Sequence, residues 1–219
     1  MVDTTRGVSQ YLNSSASRAQ QAATAGTGLT AFNSNGFTLQ ADAVGNNNYS
    51  GRTYVGWQWK ANGTPAVTNT AGSITSTVSA NTSSGFSIVT YTGTGANATV
   101  GHGLGVAPSM IIGKCTSAGG YDWQTYHASL GATKFLKLNS TIAAATASTV
   151  WNDTAPTSTV FSLSTGGDAN AVSVNFVAYC FAQIAGFSSF GSYVANGSTN
   201  GAFVYTGFRP AYVYIRHSS

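Results

Sequence analysis

The chain repeats itself, and nothing else in it constrains the fold as much, because two copies of one pattern must satisfy the same packing. Gly7-Val8-Ser9-Gln10-Tyr11-Leu12 matches Gly131-Ala132-Thr133-Lys134-Phe135-Leu136, and the same spacing of 124 residues pairs Phe37-Thr38-Leu39 with Phe161-Ser162-Leu163. At a spacing of 122, Tyr54-Val55-Gly56-Trp57-Gln58-Trp59 matches Phe176-Val177-Ala178-Tyr179-Cys180-Phe181, with aromatic rings on aromatic rings. These stretches form block B. Block A starts at Gly85-Phe86-Ser87 and again at Gly186-Phe187-Ser188. It continues by matching Tyr91 with Tyr193, Gly95 with Gly197, Gly105 with Gly207 and Pro108 with Pro210, then enters the apolar runs Met110-Ile111-Ile112 and Tyr212-Val213-Tyr214-Ile215.

The order is B, A, B, A, with a Thr/Ser/Asn-rich insertion at 62–84 between the first two blocks. Two domain partitions follow. One divides the chain into 1–117 and 118–219. The other makes 85–185 a contiguous unit, with 1–60 and 186–219 forming a permuted second one and the insertion lying between units. In either case the copies should superpose, with Phe37 over Phe161, Trp57 over Tyr179 and Pro108 over Pro210, because a one-residue slip would turn a strand's whole apolar set outward.

Only 14 of 219 residues are charged and Glu is absent, whereas Ser and Thr number 56 and Gly 26. Helical bundles and coiled coils need the missing residues; hydroxyl-rich, Gly-punctuated chains suit short strands and tight turns. Apolar/polar alternation predicts strands at 86–91, 109–114, 172–181 and 202–205, and only 14–25 and 140–148 are Ala-rich enough for a helix. The expected class is therefore all-β, with tandem β-sandwich or jelly-roll-like units and at most one short helix each.

A net charge of +4, spread over the whole chain, forms no basic stripe, so nucleic acid is not an expected partner. No apolar run is long enough for a membrane span, and residues 1–6 lack a signal peptide's apolar stretch. Cys115 and Cys180 fit no metal spacing and read as two buried thiols.

The acids Asp3, Asp42, Asp122, Asp153 and Asp168 are the only carboxylate side chains. Asp122, Asp153 and Asp168 sit in Gly-, Ser- or Thr-rich turns, where capping their own turns is the simplest role. His102, His127 and His217 stand in no nucleophile motif, and Gly101-His102-Gly103-Leu104-Gly105 lacks the ending of a phosphate loop and reads as a turn. No catalytic residue, metal ligand or cofactor is expected. Trp57 and Trp59, aromatic in both copies, read as a shared core or sheet face more readily than as a sugar platform. The segment Tyr121-Asp122-Trp123-Gln124-Thr125-Tyr126-His127 is different, since rings with polar tips crowd a loop-like stretch. Tyr121, Asp122, Trp123, Tyr126 and His127 are the candidate ligand-binding residues, although a strand flank with buried rings competes.

Gly36-Phe37-Thr38-Leu39, the string from Thr53 to Ala61, the string from Gly72 to Thr82 and the stretch from Gly85 through Pro108 resemble a repeat family of virion and tail-fibre-like proteins of tailed bacteriophages, notably marine ones. The family supplies no binding or catalytic residues to carry over. The resemblance implies a phage particle, an extracellular life and an oligomeric assembly. The resulting expectation is a non-enzymatic virion structural protein, a tail-fibre or surface module that contacts copies of itself as a homo-oligomer such as a trimer, and other virion proteins. Host attachment through a surface glycan fits the same place. A lectin-like carbohydrate-binding module and a capsid decoration protein are the alternatives.

Overall fold

The computed structural model describes residues 1–41, 47–62 and 66–219; Asp42 and part of the 62–84 insertion lie outside the described residues. The architecture is all-β. Its centre is β14 (Asn175–Phe181), apolar from Phe176 onward and buried on both faces, which hydrogen-bonds to β7 (Phe86–Thr92) on one side and to β9 (Met110–Cys115) on the other. Tyr179 faces Ile88 across one ladder and Ile112 across the other. Beyond β9 the antiparallel sheet continues through β10 (Gln124–His127), β11 (Lys134–Lys137) and β12 (Ala145–Thr146). Beyond β7 it continues through β6 (Ser76–Asn81) and β5 (Val67–Asn69), to make eight strands.

Each central strand sends alternate side chains to opposite faces. Val89, Tyr91, Ile111, Phe176, Ala178 and Cys180 point to one side, where a second layer covers them. That layer consists of β8 (Ala98–Gly101) paired with β13 (Val160–Leu163), together with two single-turn helices, α1 (Ser148–Trp151) and α2 (Gly167–Asn170). Phe161, Leu163, Val100 and Trp151 fill the gap, and each such ring or branched side chain, removed from water, contributes roughly 1.5–3 kcal/mol. On the opposite face Phe86, Ile88, Ile112, Val177, Tyr179 and Phe181 form a second core with Trp123, Leu12 and Ala61. The result is sandwich-like.

The strands expected at 86–91, 109–114 and 172–181 are present as β7, β9 and β14. The Ala-rich stretches at 14–25 and 140–148 are not helices: they supply β2 (Gln21–Ala22) and β12, since their Ser and Thr side chains compete with helical backbone bonds. The insertion is not merely a spacer. It carries β5 and β6, because Ser76 and Val78 alternate inward and the Ser76 hydroxyl donates to the Gly101 carbonyl at 2.9 Å.

The 124-residue spacing recurs in hydrogen bonding. β1 (Gln10–Tyr11) pairs with β2 as Gln10↔Ala22 and Tyr11↔Gln21, and β11 pairs with β12 as Lys134↔Thr146 and Phe135↔Ala145. Ala23 N–H donates to Ser9 O and Ala147 N–H to Thr133 O, again the same spacing. Gly95 and Gly197 share left-handed φ values of 68° and 63°, as do Gly105 and Gly207 at 75° and 80°.

Burial does not recur, and here the sequence expectation is corrected. Phe161 is 1% exposed but Phe37 43%; Tyr179 is 6% exposed but Trp57 63%. The reason is partnership. β13 lies on β8, whereas β4 (Gly36–Gln40), its counterpart, forms a hairpin with β3 (Gly28–Asn33). Residues 54–59 form no strand, nor do residues 202–205 or 212–215.

Candidate functional site

The candidate residues 121–127 lead into β10 and make up the whole of it, and alternation separates them. Trp123 points into the second core, fully buried, and its indole N–H donates to the carbonyls of Asn13 at 3.0 Å and Ala16 at 3.2 Å. Tyr126 points to the opposite face and meets the Trp151 ring edge-on at 5.9 Å. His127 Nδ1 accepts the Ser129 N–H at 3.2 Å, and burial lowers the imidazole's pKa. Thus Trp123, Tyr126 and His127 do not share one surface with Tyr121 and Asp122.

Tyr121 borders a cleft of about 370 Å³ on the helix-bearing face, with Gln124, Phe135, Lys137, Gly167 and Asp168 around it. Gln124 and Lys137 are register partners on β10 and β11, so both project to that side. Asp168, in α2, reaches across to this edge. Its Oδ1 accepts the Asp122 N–H at 3.1 Å and its Oδ2 accepts the Gln124 Nε2–H at 2.8 Å. Asp122 Oδ2 accepts from Lys137 Nζ at 2.6 Å and Oδ1 from Asn139 Nδ2 at 2.8 Å; these two bonds, the lysine's first, hold the Asp122 carboxyl below its usual pKa, while the carboxylate raises that of Lys137. Neither acid caps its own turn: both tie strands together. Asp153 sits apart, with a left-handed φ of 46°.

Gln124 is the unusual member. Its side chain is 1% exposed, and a carboxylate can only accept, so the amide nitrogen must face Asp168. Oε1 then has no hydrogen-bond partner among the described residues. A buried amide oxygen left so costs free energy.

Three buried polar sites escaped sequence reasoning. Lys114 alternates inward on β9 and is fully buried, its ammonium donating to Tyr121 O at 2.7 Å and Ser17 O at 3.2 Å; burial lowers its pKa. His102, read as a turn residue, is buried too: Nδ1 accepts the Leu104 N–H at 3.2 Å, so the proton sits on Nε2, which donates to Thr157 O at 3.1 Å. Asp3 and Arg6 form a buried ion pair at 2.6 Å beneath the sheet. A charged residue at an apolar position of a strand was the only available signal for Lys114, and none marked the other two.

Cys115 and Cys180 are free and buried in the first core, and burial pushes the Cys180 thiol up to about 12. Among the described residues no cluster of His, Cys, Asp or Glu could hold a metal ion, and no helix is long and apolar enough to cross a membrane. No curated protein and no solved structure matches the chain. A family model does match, over residues 1–219, so the chain belongs to the family described as domain of unknown function DUF7483.

Proposed function

We propose that this protein is a non-enzymatic structural module of a tailed-phage particle, a tail-fibre or other surface module built from repeated A and B blocks. The observation that carries the reading is the exposure of large apolar side chains in segments whose sequence counterparts are core strands. Val55, Trp57, Tyr212, Val213, Tyr214 and Ile215 are all exposed, whereas their counterparts at 177, 179 and 110–113 lie in β14 and β9. Apolar surface concentrated in this way marks an interaction site. Little charge is present to keep copies apart. Sedimentation over a concentration series tests the assembly part of this reading: a 22.4 kDa monomer up to tens of micromolar would refute it. Antibody labelling of imaged particles tests the location, and labelled heads would favour a decoration protein over a tail module.

The cleft beside Tyr121 favours a second reading, a carbohydrate-binding site. Tyr121 and Phe135 line it with rings, Lys137 and Asp168 line it with polar groups, and the paired charges of Asp122 and Lys137 suit a neutral ligand. Backbone NMR during saccharide titration should shift the amides of residues 120–124 and 166–168 together; a glycan array with no binder, matched by unshifted amides, would remove this reading.

A further inference from the structure

We infer that block A at the C-terminal end of one copy completes block B at the N-terminal end of a second copy, residues 186–219 pairing with residues 1–60. This deepens the assembly reading and rests on it. The template is within the chain. In residues 85–185, block A supplies β7, β8 and β9, block B supplies β11, β13 and β14, and three ladders join the blocks: β7 to β14, β9 to β14 and β8 to β13.

Carried over by the repeat spacings, Phe181↔Met110 becomes Trp59↔Tyr212, Tyr179↔Ile112 becomes Trp57↔Tyr214, and Val177↔Lys114 becomes Val55↔Arg216. In the same way Phe161↔Val100 becomes Phe37↔Ala202. Parts of both halves already hold the matching local conformations, although residues 54–59, 202–205 and 212–215 would become strands only on pairing. β1 and β2 keep the register of β11 and β12, and Gly197 and Gly207 keep the left-handed turns of Gly95 and Gly105. One edge of β4 pairs with β3, and among the described residues no strand pairs with the other. Main-chain pairing at such an edge gives affinity, and the alternate side chains give specificity.

A single chain does not make these ladders. No backbone hydrogen bond joins residues 55–60 to 186–219 among the described residues. The rings of Trp57 and Tyr212 do meet, at 5.7 Å, but the template pairs Trp57 with Tyr214, two residues on. Trp59 and Phe190 both pack on Phe181, so the two halves start from one corner. The end of the C-terminal half touches its own chain where Arg216 Nη2 donates to Ile142 O at 2.8 Å and Ala144 N–H to Ser218 O at 3.0 Å, contacts that the exchange would replace. A second copy docking at that corner meets both halves at once, and the exchange can be reciprocal about a two-fold axis.

The test uses the full chain with Val55→Cys in one preparation and Arg216→Cys in another. Both positions lie outside the two cores, and the unsubstituted chain controls for the buried Cys115 and Cys180. Mixing and mild oxidation should yield a disulfide-linked pair of chains at twice the monomer mass, alongside a dimer or larger species of the unsubstituted chain in sedimentation. If the doubly substituted chain instead closes on itself as a monomer while the mixture stays unlinked, block A completes its own chain and the exchange is wrong. Sedimentation showing an assembly with no cross-link in either format overturns this pairing and leaves the assembly reading standing. A monomer without any cross-link overturns both.

Discussion

Tyr179 on β14 donates its hydroxyl proton to Asp3 Oδ2 at 2.7 Å, tying together residues 176 positions apart. The same hydroxyl accepts from Arg6 Nη2 at 3.0 Å, and Asp3 also accepts the backbone N–H groups of Thr5 and Arg6. Arg6 completes its set with Gln20 and the Met1 carbonyl. This network pins the N-terminal segment across the second core, next to Leu12. Because the ion pair's side chains are only 5% and 4% exposed, Asp3→Ala strands a buried guanidinium and should cost about 3–5 kcal/mol. Tyr179→Phe removes both charged hydrogen bonds of the hydroxyl, each worth about 1.5–3 kcal/mol. Urea unfolding should show the double variant losing less stability than the two single variants' losses added together; strict additivity would mean that the network does not act as a unit.

Stability should fall as the pH drops below about 6.5, the ordinary histidine value. Burial lowers the pKa of His102, whose Nδ1 is occupied by the Leu104 N–H and cannot take a proton without losing that bond. The unfolded chain then binds the proton that the folded chain refuses, so stability present above the unfolded pKa is lost as the pH falls. His127, lowered by burial as well, contributes in the same window. A second loss belongs below about 4, where Asp122, depressed by Lys137 and Asn139, must take a proton. His102→Gln should flatten the upper part of the profile and Asp122→Asn the lower part. Unfolding midpoints from pH 3 to 8 decide it, and a wild-type profile level from 7 to 5 would refute the histidine assignment.

Asn170, fully buried at the end of α2, holds the turn after β7 in place. Its Oδ1 accepts the Thr94 N–H at 2.8 Å, and its Nδ2 donates to Ala96 O at 2.7 Å and Ser164 O at 2.8 Å. Replacing it by Leu leaves three backbone groups without their partner and should cost about 3 kcal/mol or more. Hydrogen exchange should show where: faster exchange at Thr94 and Gly95 with β9 and β14 unchanged. Uniform loss of protection across the sheet would mean that α2 and the sheet unfold as one.

The parts of the fold legible in the sequence are those governed by a two-residue period acting within a single strand. β14 has both faces covered, and its residues from Phe176 to Phe181 are accordingly apolar throughout, with alternate side chains sent to the two cores; β7 and β9 feed both cores in the same way. The same period, read through 121–127, also separates Trp123 from Tyr126; a cluster in sequence is split by the sheet that contains it. What stayed illegible depends on distant partners. Asp122 and Asp168 look like turn caps until β11 brings Lys137 to Asp122 and α2 carries Asp168 onto Gln124 of β10. Residues 202–205 alternate like a strand and remain outside the sheet, since alternation reports a willingness to pair and not the presence of a partner.

Chymotrypsin offers the most direct reading of that difference, because it cuts at the rings in question. In dilute solution the first cuts should follow Phe203, Tyr205 and Trp57, all exposed and outside any ladder, while bonds after Phe161, Phe176 and Tyr126 survive. Local opening costs least where few buried contacts and few backbone bonds hold the chain. Raising the protein concentration should protect Trp57 and Tyr214 together, because the template pairs these two exposed rings across two copies. Mass spectrometry of the early fragments checks both statements. Early cleavage after Phe161 or Phe176 would place the weak point within the sandwich, and equal cleavage after Trp57 at all concentrations would leave that ring uncovered in the assembled state.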